Sequence, residues 1–164
     1  CSAVEFLRSE KLPLRVLADN VRAMHNIGSI FRTSDAFCVE EMILAGISGT
    51  PPHPEIAKTA LGAEESVRWR HTDDAVAEAG RMRQEGWTVL VLEQAHGSVP
   101  LSEFSPAKGE KYLLVVGNEV HGVDQKIVDM CDNGIEIPQC GAKHSLNVSA
   151  SAAIALWHLF AAIR

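Results

Sequence analysis

No apolar run in this sequence approaches the roughly 20 residues that a membrane span requires. The longest apolar stretch, Val148 to Ile163, is interrupted by Ser149, Ser151 and His158. The first residues carry Glu5, Arg8, Glu10 and Lys11 where a secretion signal would have its apolar core. These absences lead to the expectation of a cytoplasmic protein without a membrane partner. The four cysteines, Cys1, Cys38, Cys131 and Cys140, form no Cys-x-x-Cys pair, so they read as reduced thiols. A zinc site from Cys131, Cys140 and His144 would lack four-ligand spacing, and His121 and His144 beside Glu119 belong to no His-Glu-x-x-His motif. No metal is expected. The dinucleotide fingerprint Gly-x-Gly-x-x-Gly is missing after every candidate strand. Residues Gly117 to Gly122 have the glycine spacing of a phosphate loop without the Lys-Ser/Thr that completes it. Positive charge is also scarce. The net charge of −6 argues against a generic nucleic-acid-binding surface. Residues 1–70 hold eight Lys/Arg against nine Asp/Glu, and residues 71–164 hold seven against twelve. Any basic patch must therefore come mostly from Arg8, Lys11, Arg15, Arg22, Arg32, Lys58, Arg68 and Arg70.

What remains is a chain of 164 residues, 46% hydrophobic, without repeats, low-complexity runs or a linker. That fits one globular domain with a sizeable core. Strand candidates are Leu14–Ala18, Glu41–Ala45, Ser66–His71, Trp87–Leu92, Lys111–Val116 and Ile135–Ile137. Helical stretches are expected at residues 3–11, from Asn26 to Phe37, from Pro54 to Leu61 with Gly62 as stop, and from Thr72 or Asp73 to Gln84. Two more are expected near Asp124 to Cys131 and from Asn147 to Ile163, with Ser98 to Gly109 irregular. Strands alternating with helices imply an α/β fold with a mostly parallel sheet.

Two helices stand out. In the first, Ile27, Ile30, Phe31, Ser34 and Phe37 recur at helical spacing, so Asn26 is placed as its N-cap. Gly28 in the first turn costs stability relative to alanine and suggests a close approach to the backbone there. Arg32 lies off the apolar stripe and is free to point into a cleft. The second, Asn147 to Ile163, has no charged residue and only His158 as a strongly polar side chain. A helix apolar on all sides must be covered on all sides. One face is expected on the sheet and the other against a second subunit, with burial in a monomer as the alternative.

The organising features are two strand ends. Leu113-Leu114-Val115-Val116 runs into Gly117-Asn118-Glu119-Val120-His121-Gly122, and Ile135-Glu136-Ile137-Pro138 is followed by Ser145-Leu146-Asn147-Val148. Leu92-Glu93 ends a third strand. Ligands of open parallel sheets sit beyond the carboxyl ends of the strands. On the residues alone, Gly117-Asn118-Glu119 could be only a tight turn, and Ser145-Leu146-Asn147 only a helix N-cap.

With the stretch Asn26-Ile27-Gly28-Ser29-Ile30-Phe31-Arg32-Thr33, these segments give three motifs in order. Together they resemble the SpoU (TrmH-like) RNA 2′-O-ribose methyltransferases of the SPOUT superfamily. The resemblance spans nearly the whole chain, and Val120 stands where many members have a small residue. It implies one methyltransferase domain over residues 1–164, without a separate RNA-binding domain, and helices on both faces of the sheet. It also implies a deep trefoil knot over about residues 112–164, an exception to the usual rules of connectivity. S-adenosylmethionine would be held by Leu92, Glu93, Gly117, Asn118, Ile137 and Leu146. Arg32 and Asn26 would hold the ribose-phosphate of a tRNA or rRNA, while Glu119, Ser145 and Asn147 complete the polar wall.

The resemblance further implies a homodimer with the site near the subunit interface, and leaves room for an accessory protein in substrate recognition. Deprotonating a guanidinium at pH 7 would cost on the order of 7 kcal/mol, so Arg32 is expected to clamp a phosphate rather than act as a base. A base-directed RNA methyltransferase and a non-catalytic RNA- or nucleotide-binding module on the same fold are the alternatives.

Overall fold

The computed structural model describes residues 1–143 and 145–164. Seven strands form one sheet: β1 (Leu12–Asp19), β2 (Val39–Ala45), β3 (Trp69–Thr72), β4 (Trp87–Leu92), β5 (Val99–Pro100), β6 (Lys111–Gly117) and β7 (Asn133–Glu136). Their order is β3-β2-β1-β6-β4-β7-β5, and every neighbouring pair is parallel. The helices are α1 (Ala3–Arg8), α2 (Met24–Ala36), α3 (Pro54–Ala60), α4 (Ala63–Ser66), α5 (Ala75–Gln84), α6 (Gln125–Met130) and α7 (Val148–Ile163).

The apolar runs of the central strands are buried on both faces, as a parallel sheet between two helical layers requires. Side chains alternate between faces along a strand. Leu14, Val16 and Ala18 of β1 and Tyr112, Leu114 and Val116 of β6 therefore join one core, with Ile27, Ile30 and Phe31 of α2 and Leu156 and Leu159 of α7. Leu17, Leu113 and Val115 face the other core, against Ala79 and Met82 of α5 and Ile127 of α6. Each of the Val, Leu, Ile, Phe and Met side chains among these, fully buried, contributes about 1.5–3 kcal/mol. The parallel arrangement brings all seven carboxyl ends to one edge, where Asp19 of β1 is paired in register with Gly117 of β6.

Several sequence expectations are corrected. Helix α2 starts two residues before Asn26, its N-cap position is Ala23, and no side chain caps it there. Asn26 is instead a buried first-turn residue, for a reason found in the site below. The strand expected over Ser66–His71 is shared between the one-turn helix α4 and the later β3. The irregular stretch after Gly97 contains the short strand β5 and a 3-10 turn at Leu101–Glu103. The helix expected from Thr72 or Asp73 is capped by Asp74, whose carboxylate accepts from the Ala77 N–H at 3.0 Å. Within one chain α7 is not covered on all sides: Ile154 and Trp157 are 42% and 51% exposed. Among the described residues, no helix is long and apolar enough to cross a membrane.

Candidate active site

A cleft of about 460 Å³ opens beyond the carboxyl ends of β4, β6 and β7, against the start of α7. Leu92, Glu93, Gly117, Asn118, Ile137 and Leu146 all line it. So do Glu119, Ser145 and Asn147. Nine of the eleven residues singled out in the sequence thus meet in one place, although they come from three strand ends and one helix start. Gln94, Glu136, Gln139 and Ser151 also line the cleft. Sequence reading passed over them because their signal was only their place, Glu136 at the last position of β7, Gln94 and Gln139 two or three residues past a strand end, and Ser151 one turn into α7.

The loop from Gly117 to Gly122 is a rigid turn, and its residue types follow from its geometry. The Asn118 carboxamide oxygen accepts from the backbone N–H groups of Val120 and His121 at 2.8 and 2.9 Å, and its amide donates to the Asn20 carbonyl at 2.9 Å. The backbones of Asn118 and Gly122 exchange both of their hydrogen bonds. A Cβ on Gly117 would lie 2.3 Å from the Gly122 carbonyl carbon. Gly122 has φ +70°, and a Cβ there would lie 2.2 Å from Glu93 Oε1. The same turn exposes Val120 at its tip.

Glu119, though exposed, reaches back to tie this loop to the start of α2. One carboxylate oxygen accepts from the Arg22 N–H at 2.9 Å, and the other accepts from the Ala23 N–H at 2.8 Å. The Asn26 amide donates to that second oxygen at 3.3 Å. Partial burial pushes the Glu119 carboxyl up, but these donors, with its own backbone N–H, outweigh it and hold the group below the usual carboxylate range. Asn147 donates to the Asn26 carboxamide oxygen at 3.1 Å, while its own oxygen accepts from the Ser149 N–H at 2.9 Å at the head of α7. Asn26 is therefore buried because it joins the β6 loop to α7.

Glu93 sits differently. Its Oε2 is buried with no hydrogen-bond partner among the described residues. Burial raises its carboxyl against a bond from the Val123 backbone, and the nearby Asp19 charge adds to the rise. Asp19 is itself buried, and burial raises its carboxyl too, although it accepts from the Asp124 N–H at 2.8 Å.

Arg32 is not brought into this cleft within one chain. It is exposed and flanks a separate open depression, with Ala3 and Phe6 of α1 on one side and Asp35 and Leu61 on the other. Gly28 answers the expectation of a close approach with α3 in place of a ligand. A Cβ there would lie 2.0 Å from Thr59 Oγ1 and 2.3 Å from the Ile56 carbonyl oxygen. Among the described residues no group of three His, Cys, Asp or Glu could hold a metal. His144, which entered two of the metal alternatives, lies outside the described residues.

Residues 13–157 match the model of the SpoU rRNA methylase family. The chain belongs to that family. Against the tRNA (guanosine(18)-2′-O)-methyltransferase of Aquifex aeolicus, this SpoU family chain is 32% identical over 153 residues, covering 93% of itself and 71% of that protein. The crystal structure of the Aquifex aeolicus TrmH/SpoU tRNA modifying enzyme matches it with a TM-score of 0.85 at 30% identity, over 97% of this chain and 79% of that one. An AdoMet-bound rRNA methyltransferase from Sinorhizobium meliloti matches with a TM-score of 0.83 at 26% identity, over 92% of this chain and 56% of that one. The chain spans 63% of the length of a Staphylococcus haemolyticus protein assigned to the TrmH family, to which it is 26% identical.

Proposed function

We propose that this SpoU family chain is an S-adenosylmethionine-dependent methyltransferase acting on a ribose 2′-hydroxyl of tRNA or rRNA in the cytoplasm. The observation that carries this reading is the convergence of three strand ends, those of β4, β6 and β7, and the head of α7 on one cleft at the carboxyl edge of a parallel sheet. The cleft suits the cofactor. Its volume is in the range of small-molecule sites, Leu92, Ile137 and Leu146 supply apolar walls, and the unpartnered Glu93 oxygen is a ready acceptor for a hydroxyl or ammonium group. When bound there, S-adenosylmethionine supplies an activated methyl group. The chain's own residues position the acceptor ribose and exclude water from it. Glu119, Asn26 and Asn147 act through the walls they hold together, and Ser145 and Ser151 supply hydroxyls to the cleft.

The chain works as a homodimer with one methyltransferase domain per subunit. Exposed Ile154 and Trp157 on α7 support this, with Phe37, Trp157 and Phe160 forming an aromatic cluster at centroid distances of 5.3–5.9 Å. A dimer also resolves the position of Arg32. Because Arg32 lies away from its own chain's cleft, each cleft is served by the partner subunit's Arg32, which clamps the RNA phosphate beside the target ribose. Knotting of residues 112–164 is supported by the strand order, in which β6 enters between β1 and β4, and β7 enters between β4 and β5.

The test is incubation of the protein with unmodified tRNA and rRNA transcripts and methyl-labelled S-adenosylmethionine, followed by mass spectrometry of the nucleosides. Label on a 2′-O-methylnucleoside is the expected result. Label on a base, or binding of cofactor and RNA without transfer, would support the alternatives.

A further inference from the structure

Helix α1 separates two open depressions at the edge of the sheet opposite the cleft. On one side lies the depression that holds Arg32. On the other lies one of about 460 Å³, lined by Leu7, Arg8, Ser9, Lys11, Glu40 and Arg68. Three cations from three different segments meet there, from the end of α1, the approach to β1 and the approach to β3. Among the described residues Glu40 is the only carboxylate lining it, and it is paired with Arg15, whose Nη2 lies 2.6 Å from Glu40 Oε1. Lys11 donates to the Phe6 carbonyl and to Ser9 Oγ, and its ammonium stacks over the Phe6 ring; the Asp35 charge acts on it, but no described carboxylate lies within ion-pair distance. Arg8 and Arg68 are exposed, and no described carboxylate pairs with either. On the Arg32 side, Asp35 accepts from the Ser66 hydroxyl, and Glu65 is the exposed carboxylate among the lining residues.

Gathering unpaired like charges is costly, and a protein of net charge −6 has acidic side chains enough to neutralise them. A polyanion offsets that cost by releasing its counterions as the cations engage its phosphates. We propose that α1 and its two flanking depressions form a saddle for the RNA backbone, in which Arg8, Lys11 and Arg68 bind phosphates of the same RNA whose target ribose Arg32 positions. This rests on the reading of Arg32 given above. The contacts are to phosphate, so they set affinity and register and carry no base specificity.

The experiment measures binding of an unmodified tRNA transcript by the wild type, an Arg8→Ala/Arg68→Ala double variant and an Arg83→Ala control, from low to high salt. Arg83 is exposed on α5 and paired with Asp132. The double variant is expected to bind RNA roughly tenfold or more weakly, with a salt slope reduced by about 1.4 for two lost phosphate contacts. Its thermal midpoint should equal or exceed that of the wild type, its affinity for S-adenosylmethionine should match, and Arg83→Ala should bind RNA as the wild type does. Unchanged RNA affinity and slope in the double variant would overturn the saddle. Loss of affinity for poly-glutamate with RNA binding unchanged would mark instead a surface for acidic protein. Binding is read without methyl transfer, which separates the two proposals. A wild type that binds RNA through these arginines but never methylates it contradicts the proposed activity alone.

Discussion

The Asn147 side chain donates to the Asn26 side chain at 3.1 Å, across 121 residues of sequence. Asn26 in turn donates to Glu119 at 3.3 Å, so one buried amide holds together the β6 loop, α2 and the head of α7. Asn26→Ala should destabilise the fold by on the order of 1 kcal/mol, because it removes two hydrogen bonds made by a buried side chain, although water can reach the Glu119 and Asn147 groups left behind. Asn26→Asp should cost more at neutral pH, since it sets a second carboxylate against Glu119. Thermal melts of both variants check this, and equal midpoints for wild type and Asn26→Ala would refute the linking role.

Gly28→Ala should destabilise despite the gain of about 1 kcal/mol in helix propensity. The new methyl would sit 2.3 Å from the Ile56 carbonyl oxygen, which is backbone and cannot swing aside. Separating α2 from α3 should cost on the order of 1–3 kcal/mol. Adding Thr59→Ala should not restore the wild-type denaturant midpoint, because the backbone contact remains.

Glu93→Gln separates ligand binding from stability. Burial and the nearby Asp19 raise the folded carboxyl, so the ionised form is disfavoured in the native state. The wild type should therefore lose stability as the pH rises through the raised carboxyl range, and Glu93→Gln should lose less, keeping only the part due to Asp19. At pH 7 the variant should be at least as stable as the wild type, yet bind S-adenosylmethionine about fivefold or more weakly. Calorimetric titration beside a melt reads both, and an unchanged affinity would remove Glu93 from the cofactor site.

Away from the cleft, Glu78 accepts from Arg70 at 2.6 and 2.9 Å and from Arg81 at 2.6 Å. The hydrogen bonds from Arg70 hold its carboxyl at about 2, below its ordinary 4.5. A depressed carboxyl contributes stability above its unfolded value and loses it as the pH falls through the folded one. Glu78→Gln should therefore cost on the order of 1 kcal/mol at pH 7, after allowing for solvent screening. The difference from wild type should shrink between about pH 4.5 and 2, and a difference independent of pH would contradict the pairing.

The sheet and most of the cleft were legible in the sequence because burial on both faces leaves a plain mark. Leu113 to Val116 has no polar residue, and the abrupt change at Gly117 marks the strand end where a ligand site forms. The roles within the site were less legible. Asn26 has the residue type of an N-cap, and nothing local distinguishes that from a bond to residues 93 and 121 positions away. Gly28 signals close approach without saying whether ligand or helix approaches. Arg32 lies off the apolar stripe of α2, but helical periodicity gives a direction around the axis and not the neighbour found there. The second face of α7, where Trp157 is exposed, is marked in the sequence only by an absence of charge.

The most direct measurement mixes two inactive chains. Arg32→Ala keeps an intact cleft, and Leu146→Arg blocks the cleft but keeps Arg32. Each is refolded alone and with an equal amount of the other, and single-turnover methyl transfer to the substrate RNA is followed. If each cleft is served by the partner subunit's Arg32, both homodimers are inactive, and random mixing restores about a quarter of the wild-type sites, one in every mixed dimer. No recovery, in a mixture shown to contain mixed dimers, would contradict the shared site.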